Sequence, residues 1–351
     1  MMDGKYLYGF VQNSMWLGLP APNEMKLDIA GMDQEMLYII PHQGIAAVVS
    51  DAFPIMWSDL PRETVFSYLT THQGAIEAVM KCYEIVPVKF GTYLPNENLI
   101  HQVMKTEYDT IRSCLVEMAN QVEMDVVVLW RDLANLFKKM AETPIVGDIK
   151  SLMAKAVPDQ RHSLQIQAGK RVKAMLDRMN IDYAKEVMDA LKLVSLACQL
   201  HEVKDDVMIL NCAFLVEKHR MDEFEKQIDA LDNLHYNQFT FRVIGPLPPY
   251  SFKTLEIERP NVSDVENAQA LFSLGKTATE FEIKTRYREM AKTLHPDRFP
   301  KDPAAQNRFE SLNKAFAILK NYCRADTCSF EAADIQNWIA VKPMKYTAGT
   351  R

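Results

Sequence analysis

Residues 279–319 carry two apolar stripes at helical spacing on either side of a proline, and this arrangement constrains the fold more than any other feature of the chain. Ile283, Tyr287, Met290, Ala291 and Leu294 follow one another at i, i+4, i+7, i+8 and i+11, which is a single helix face. Thr279-x-x-Glu282 precedes them as a capping box. Pro296 has no amide hydrogen and biases His295 away from the helical region, so the helix ends there. Asp302-Pro303 then reads as cap and first helical residue of a second helix carrying Phe309, Leu312, Ala315, Phe316 and Leu319. Two such helices joined by a polar loop pack antiparallel to bury both stripes, and His295-Pro296-Asp297 is left at the loop tip in solvent. Ser263-x-x-Glu266 reads as a further capping box opening a short helix that ends at Gly275 and lies alongside.

The rest of the 351-residue chain is long enough for two or three domains. A formal charge of −6 argues against a global basic surface, so neither nucleic acid nor an anionic membrane surface is expected as partner. No apolar run reaches the roughly 18–20 residues of a membrane span, and the first residues show no export signal. Six cysteines (82, 114, 198, 212, 323 and 328) lie scattered without a C-x-x-C, which argues against a zinc ribbon, a thioredoxin motif or a secreted disulfide framework. A reduced, cytoplasmic protein without membrane insertion is expected.

Lys5–Val11, Met36–Ile40 and Gly44–Ser50 read as strands, two of them meeting at a Pro41–Gly44 turn. Pro61–Cys82 reads as a helix with Pro61 in its first turn, Ile85–Gly91 as a strand, Asn98–Ala119 as a helix and Glu123–Trp130 as a buried strand. That order suits a ferredoxin-like open sheet backed on one side by two helices. Lys138–Asp159 is expected to separate it from a second block. There, helices are expected at Ser163–Met179, Asp182–Cys198 and Met221–Asp232, with strands at Val207–Val216, Gln238–Ile244 and Ser251–Glu258. Gly245–Tyr250 forms a Pro-rich turn, and Arg259–Val262 a linker before Ser263 as helix cap. The fold class is therefore α+β: two ferredoxin-like α+β layers of antiparallel-type sheet with covering helices, followed by a small all-α helical hairpin. Expected divisions are 1–140, 150–258 and 263–323. In the tail, 324–351, Phe330, Ile335, Trp338 and Ile339 could dock as a short helix.

Residues 263–323 resemble the J-domain of DnaJ-type co-chaperones. The resemblance rests on Leu274-Gly275, Glu282-Ile283-Lys284, Tyr287-Arg288, Ala291, Leu294, His295-Pro296-Asp297-Arg298, and Phe309, Asn313, Ala315, Phe316 and Leu319. An isolated H-P-D tripeptide carries little; placed in this inter-helix loop between both stripes it is specific. The resemblance implies that His295, Pro296, Asp297 and Arg298 contact the ATPase domain of a DnaK-type chaperone, that Lys284, Arg286, Arg288 and Lys292 steer it, and that the module has no ATP site of its own. Read on their own, those basic residues also fit a solvated helix face. Glu289 stands where the family usually carries a basic residue and dilutes the patch. No Gly/Phe-rich segment or zinc repeat follows, so client choice falls to the upstream part.

Residues 5–258 resemble the gas vesicle protein GvpL/GvpF family. The carrying residues are Tyr6-Leu7-Tyr8-Gly9, Ala46–Ser50, His72 with Ala75, Ile76 and Glu77, Val86-Pro87-Val88-Lys89-Phe90-Gly91-Thr92, Val126–Trp130 and Gly245-Pro246-Leu247-Pro248-Pro249-Tyr250-Ser251-Phe252. Lys89 replaces a usual Arg, and Leu247 a frequent Trp. The resemblance implies a two-domain accessory protein, not an enzyme, that binds the small hydrophobic gas vesicle shell protein and associates with other gas vesicle proteins and with the vesicles. It marks Tyr8, Gly9, His72, Pro87, Phe90, Gly91, Gly245, Pro246, Pro249 and Tyr250 as motif positions. Each also has a structural reading: Pro87–Thr92 as a strand and its turn, Pro248–Tyr250 as a stiff connection, His72 as a hydrogen-bonded, partly buried residue.

No second His, Cys or carboxylate stands at metal-ligand spacing around His72, and no phosphate loop, G-x-S-x-G or H-E-x-x-H motif occurs, so neither metal nor cofactor is expected. Acyl transfer by Cys82 with His72 is a third reading without an orienting group. The combined expectation is an adaptor whose upstream part holds a shell subunit while the J-domain recruits a chaperone ATPase. The alternative is a general J-protein co-chaperone with an unrelated client.

Overall fold

The computed structural model describes residues 4–12, 25–155, 157–299, 302, 304–324 and 326–344. The Pro303 expectation lies outside them. Aromatic and β-branched residues crowd β1 (Lys5–Gln12), which runs inside an antiparallel sheet with β2 (Met25–Ala30), β3 (Met36–His42), β4 (Ile45–Asp51), β5 (Glu84–Pro87) and β6 (Tyr93–Leu94). The strand order is β2-β3-β4-β1-β5, with β6 pairing the start of β1. A register shift between Leu7 and Gly9 in β1 lets Tyr6, Tyr8 and Val11 face one side while Leu7 and Phe10 face the other. β2 was not expected, although Met25, Leu27 and Ile29 alternate with exposed Lys26, Asp28 and Ala30 at the strand period.

Helices cover both faces of this sheet rather than one. α1 (Arg62–Met80), with Pro61 just outside its first turn, buries His72, Ala75, Ile76 and Val79 against the Tyr6 and Tyr8 face. The expected Asn98–Ala119 helix is two, α2 (Glu97–Thr106) and α3 (Tyr108–Met118), which pack on the Leu7 and Phe10 face. They break at Glu107 (φ −111°, ψ 21°), whose carboxylate meets Arg324 from the far end of the chain.

The strand expected to join the first sheet, β7 (Gln121–Trp130), lies inside a second one. An unbroken run of Val and Leu does not say which sheet it enters; pairing with distant strands decides that. After α4 (Leu133–Ala141), α5 (Pro144–Lys155) and α6 (Pro158–Lys192) come β8 (Ala197–Leu200), β9 (Met208–Glu217), α7 (Met221–Leu234) and β10 (Phe239–Leu247), and the antiparallel order is β10-β7-β9-β8. α6 and α7 cover one face, around Val126, Val128, Phe214, Phe224 and Phe239. The segment expected to separate the blocks is thus largely helical, with Met140, Val146 and Ile149 buried. The two expected helices at Ser163–Met179 and Asp182–Cys198 are one, because Asn180-Ile181-Asp182 contains no breaker and Asn180 Oδ1 accepts the Trp130 indole N–H at 2.7 Å. Cys198 belongs to edge strand β8, not to a helix.

β11 (Thr254–Glu258) leads into α8 (Val262–Leu271), β12 (Thr277–Thr279), α9 (Glu280–Leu294), α10 (Ala305–Tyr322), β13 (Thr327–Ser329), α11 (Ala332–Asn337) and β14 (Ala340–Met344). Ser263 does not cap α8: Asn261 does, accepting from the Ser263 amide at 3.0 Å and the Ser263 hydroxyl at 2.8 Å. An Asn two residues earlier offers the same acceptor with better reach. The tail docks through α11, Phe330 and Trp338 as expected, but it also contributes β13 beside β12 and β14 beside β11.

Candidate functional site

The Thr279 capping box forms in full: the Glu282 amide donates to Thr279 Oγ1 at 3.1 Å, and the Thr279 amide donates to Glu282 Oε2 at 2.8 Å. These bonds hold the Glu282 carboxyl below its usual range, with the Thr279 backbone contributing most. α9 and α10 pack antiparallel, the Tyr287 hydroxyl donating to Asn313 Oδ1 at 2.8 Å. The chain leaves α9 at His295 in an extended conformation (φ −60°, ψ 131°), and Pro296–Arg298 make one tight turn.

In that turn the Asp297 amide donates to His295 Nδ1 at 3.3 Å, while the His295 ring meets Phe309 of α10 edge-on at 5.1 Å. The Arg298 guanidinium donates to the Lys292 carbonyl at 2.8 Å and so satisfies an orphan acceptor at the end of α9. The turn is braced from both helices, yet the Asp297 side chain is 88% exposed. Its carboxylate is an acceptor-only group able to take a bidentate guanidinium from another molecule. On α9, Lys284 pairs with Glu280 at 2.5 Å and Arg286 approaches Glu289 at 3.8 Å. Arg288 and Lys292 are exposed and make no ion pair among the described residues.

The upstream motif positions fall into two groups. Tyr8, Gly9, His72, Pro87, Phe90 and Gly91 surround the contact between α1 and the first sheet. His72 is 2% exposed, stacks on Tyr8 (5.7 Å) and meets Phe90 edge-on (5.6 Å). Burial pushes its imidazole down to about 4, a hydrogen bond with the Val88 backbone opposing. The His72 Nδ1 shares a hydrogen bond with the Tyr6 hydroxyl at 3.1 Å, and the Tyr6 oxygen accepts from the Gly91 amide at 2.9 Å. The Tyr8 hydroxyl joins Ser50 (3.0 Å) and the Met32 amide (2.7 Å). Pro87 pairs with Gly9, where any Cβ would lie 2.7 Å from the Val86 carbonyl oxygen. Gly91 has φ +83°, and its Cβ would strike the Trp57 ring.

Gly245, Pro246, Pro249 and Tyr250 form the second group: Gly245 and Pro246 lie within the end of β10, which runs on to Leu247 rather than stopping at Ile244, and Pro249 and Tyr250 follow in the connection to β11. The Gly245–Pro246 peptide is cis, and the Pro249 carbonyl accepts the Lys253 amide at 2.8 Å. Tyr250, half-buried, points its hydroxyl at the Gln73 carbonyl of α1 (3.4 Å); burial, then Glu77 and Glu123, raise its phenol. Sequence reasoning missed what lies beside it. Glu123 is 2% exposed and accepts the Ser251 amide (2.7 Å) and hydroxyl (2.8 Å), and His201 Nε2 lies 3.1 Å from the same hydroxyl. With Asp125, Gln73 and Glu77 they line a cavity of about 410 Å³. The sequence signal was two carboxylates at i and i+2 in an otherwise apolar strand.

His72 and Cys82 are not brought together: His72 is inside, Cys82 exposed beyond the end of α1. Among the described residues no group of three or more His, Cys, Asp or Glu could hold a metal ion, and no helix is long and apolar enough to cross a membrane.

Comparison with known proteins agrees with this division of the chain. Residues 4–254 match the family Gas vesicle synthesis protein GvpL/GvpF, and residues 270–325 match the DnaJ domain. Gas vesicle protein F of Streptomyces sp. (strain CB03234) is 25% identical over 247 residues, 70% of this chain and 98% of that protein. The protein of the same name from Microcystis aeruginosa (strain PCC 7806) is 22% identical over 261 residues, 73% of this chain and 100% of its own length. Chaperone protein DnaJ of Acetobacter pasteurianus is 44% identical over 52 residues, 15% of this chain and 14% of that protein. The crystal structure of GvpF from Anabaena sp. PCC7120 shares the fold with a TM-score of 0.57 at 20% identity, covering 71% of this chain and 97% of that one. With its family match spanning both upstream sheets and its helical hairpin matching separately, the chain belongs to the GvpL/GvpF family of gas vesicle synthesis proteins and carries a DnaJ domain in its C-terminal part.

Proposed function

We propose that the protein is a cytoplasmic gas vesicle assembly accessory: its upstream sheets hold the small hydrophobic shell protein, and its J-domain recruits a DnaK-type chaperone and stimulates that partner's ATP hydrolysis. The observation that carries the reading is the exposed Asp297 carboxylate on a turn braced from both helices, at the end of a helix whose Arg288 and Lys292 make no ion pair among the described residues. A shell subunit that assembles through apolar surface needs protection from premature aggregation, and a chaperone held on the same molecule acts at raised local concentration. His295, Pro296, Asp297 and Arg298 are the proposed contact residues, with Lys284, Arg286, Arg288 and Lys292 as the steering face.

The test is steady-state ATP turnover by a DnaK-type chaperone with the full chain added. Stimulation by the native chain and its loss in Asp297→Asn and His295→Gln support the reading; equal stimulation by the variants overturns it. Capture of the shell protein by full-length Asp297→Asn, as efficient as by the native chain, supports the division of labour. Loss of capture in that variant overturns it.

A further inference from the structure

We infer that the J-domain is an insertion held rigidly by a two-stranded clasp, so that a chaperone bound at Asp297 meets cargo on the upstream sheets at one fixed angle. β14 is the positioning element. The inference rests on the function proposed above and goes beyond it: a J-domain on a loose tether would serve recruitment equally well, and the structure is not built that way.

The chain enters and leaves the module side by side. β11 and β14 pair antiparallel from Thr254↔Met344 to Glu258↔Ala340, so the last residue before the module faces the first one after it. Residues 259–261 alone connect β11 to α8, and residues 338–339 connect α11 to β14. Connections this short leave almost no freedom of rotation.

β14 is part of the core of the upstream body. Ile339 and Val341 are buried with Leu7, Phe10, Val88 and Leu255, in the cluster that includes the apolar faces of α2 and α3. Polar contacts bracket the seam. Arg324, leaving α10, lies 3.6 Å from Glu107 at the α2–α3 break and 3.6 Å from Glu258, with its guanidinium over the Trp338 ring. Lys342 meets Glu258 at 2.6 Å, and Gln102 of α2 donates to the Asn337 carbonyl at 2.7 Å. Each element of the module's exit is thus tied to the body that carries the proposed cargo site. A spacer that cannot reorient either permits both engagements at once or forbids them.

The test uses the full chain and a loosened variant with about ten Gly/Ser residues inserted after Pro260 and after Ile339, together with Arg324→Ala; each insertion spans about 17 Å as a coil and removes no buried side chain. Spin labels go on exposed Cys82 and on a cysteine introduced by Arg288→Cys. A single narrow distance in the clasped chain and a broad one in the loosened chain is expected. Without the spin-label substitution, the loosened chain should keep stimulation of a DnaK-type ATPase within about twofold while ATP-dependent protection of shell protein from aggregation falls at least about fivefold. A broad distance in the clasped chain overturns the inference, as does full protection by a loosened chain whose distance is broad. A narrow distance with no ATPase stimulation by the native chain overturns the functional reading instead, and with it the role given to the clasp.

Discussion

Tyr287 lies flat on Phe316, ring centroids 4.0 Å apart and planes within 16° of parallel. This stack joins α9 to α10 about two turns below the His295–Phe309 contact, so it supports the base of the loop tip. Both rings are half-buried. Tyr287→Ala should cost about 2 kcal/mol locally, and Tyr287→Phe about 1 kcal/mol through the lost bond to Asn313. A double-mutant cycle with Phe316→Ala should leave a coupling of about 1 kcal/mol. Native-state hydrogen exchange of α9 and α10 amides reads these values for the module alone. Unchanged protection in Tyr287→Ala would show that the stack does not hold the hairpin.

His72 makes the first sheet acid-sensitive. Its imidazole is held down to about 4 from an ordinary 6.5, chiefly by burial. Between those values the unfolded chain binds more protons than the folded one, so stability is full above pH 6.5 and falls as pH drops toward 4. The largest loss is about 3 kcal/mol. His72→Phe keeps the aromatic packing and gives up the bonds to Tyr6 and Val88, so it should be less stable at pH 7 by about 1–3 kcal/mol. Because buried Glu123 contributes the opposite trend, the same variant should show stability that falls as pH rises from 4.5 to 6.5, where the native chain is nearly flat. Denaturant titrations from pH 4 to 8 decide it; a His72→Phe profile as flat as the native one would show that His72 binds its proton no more weakly folded than unfolded.

What the sequence disclosed and what it withheld divide by sequence separation. The hairpin was legible because Thr279, Glu282, Pro296 and the two stripes act within a few residues of one another, and the strands Lys5–Val11 and Val207–Val216 were legible from local composition. The β7 misplacement, the break at Glu107 and the course of the tail all depend on contacts across about eighty residues or more, such as Glu258↔Ala340 folding back on Leu7 and Phe10. No periodicity encodes such a partner. At the candidate site, the exposed loop tip was read correctly as solvent-facing. The Glu123–Ser251 contact was not anticipated, since its two halves lie 128 residues apart.

Glu123 pulls the pH profile the other way. Burial raises its carboxyl to about 7, the Ser251 amide opposing and the Asp125 charge reinforcing. Folded and unfolded values now bracket pH 4.5–7 with the folded one higher, so the associated stability is full below pH 4.5 and is lost as pH rises through 7, up to about 3 kcal/mol. In the native chain the two trends nearly cancel between pH 4.5 and 6.5. Glu123→Gln should unmask the His72 slope and give stability that climbs steadily with pH across that window. A Glu123→Gln profile as flat as the native one would show that Glu123 carries its proton no more tightly folded than unfolded.

Arg288 and Lys292 should act on how fast the chaperone arrives rather than on how long it stays. Both are solvent-exposed and without an ion pair among the described residues, whereas Lys284 and Arg286 are engaged by Glu280 and Glu289. Exposed charge at a rim steers encounter and is screened by salt, with a Debye length of about 10 Å at 0.1 M. Reversing both charges, Arg288→Glu with Lys292→Glu, should therefore slow association with the chaperone ATPase domain roughly tenfold at low ionic strength, and the deficit should shrink as salt is raised. Asp297→Asn should behave differently: it removes a contact acceptor, so dissociation quickens and salt does not restore it. Stopped-flow association at several salt concentrations separates the two. A salt-independent deficit in the charge-reversed chain would assign Arg288 and Lys292 to direct contact, and an unaltered association rate would leave them as an ordinary solvated helix face.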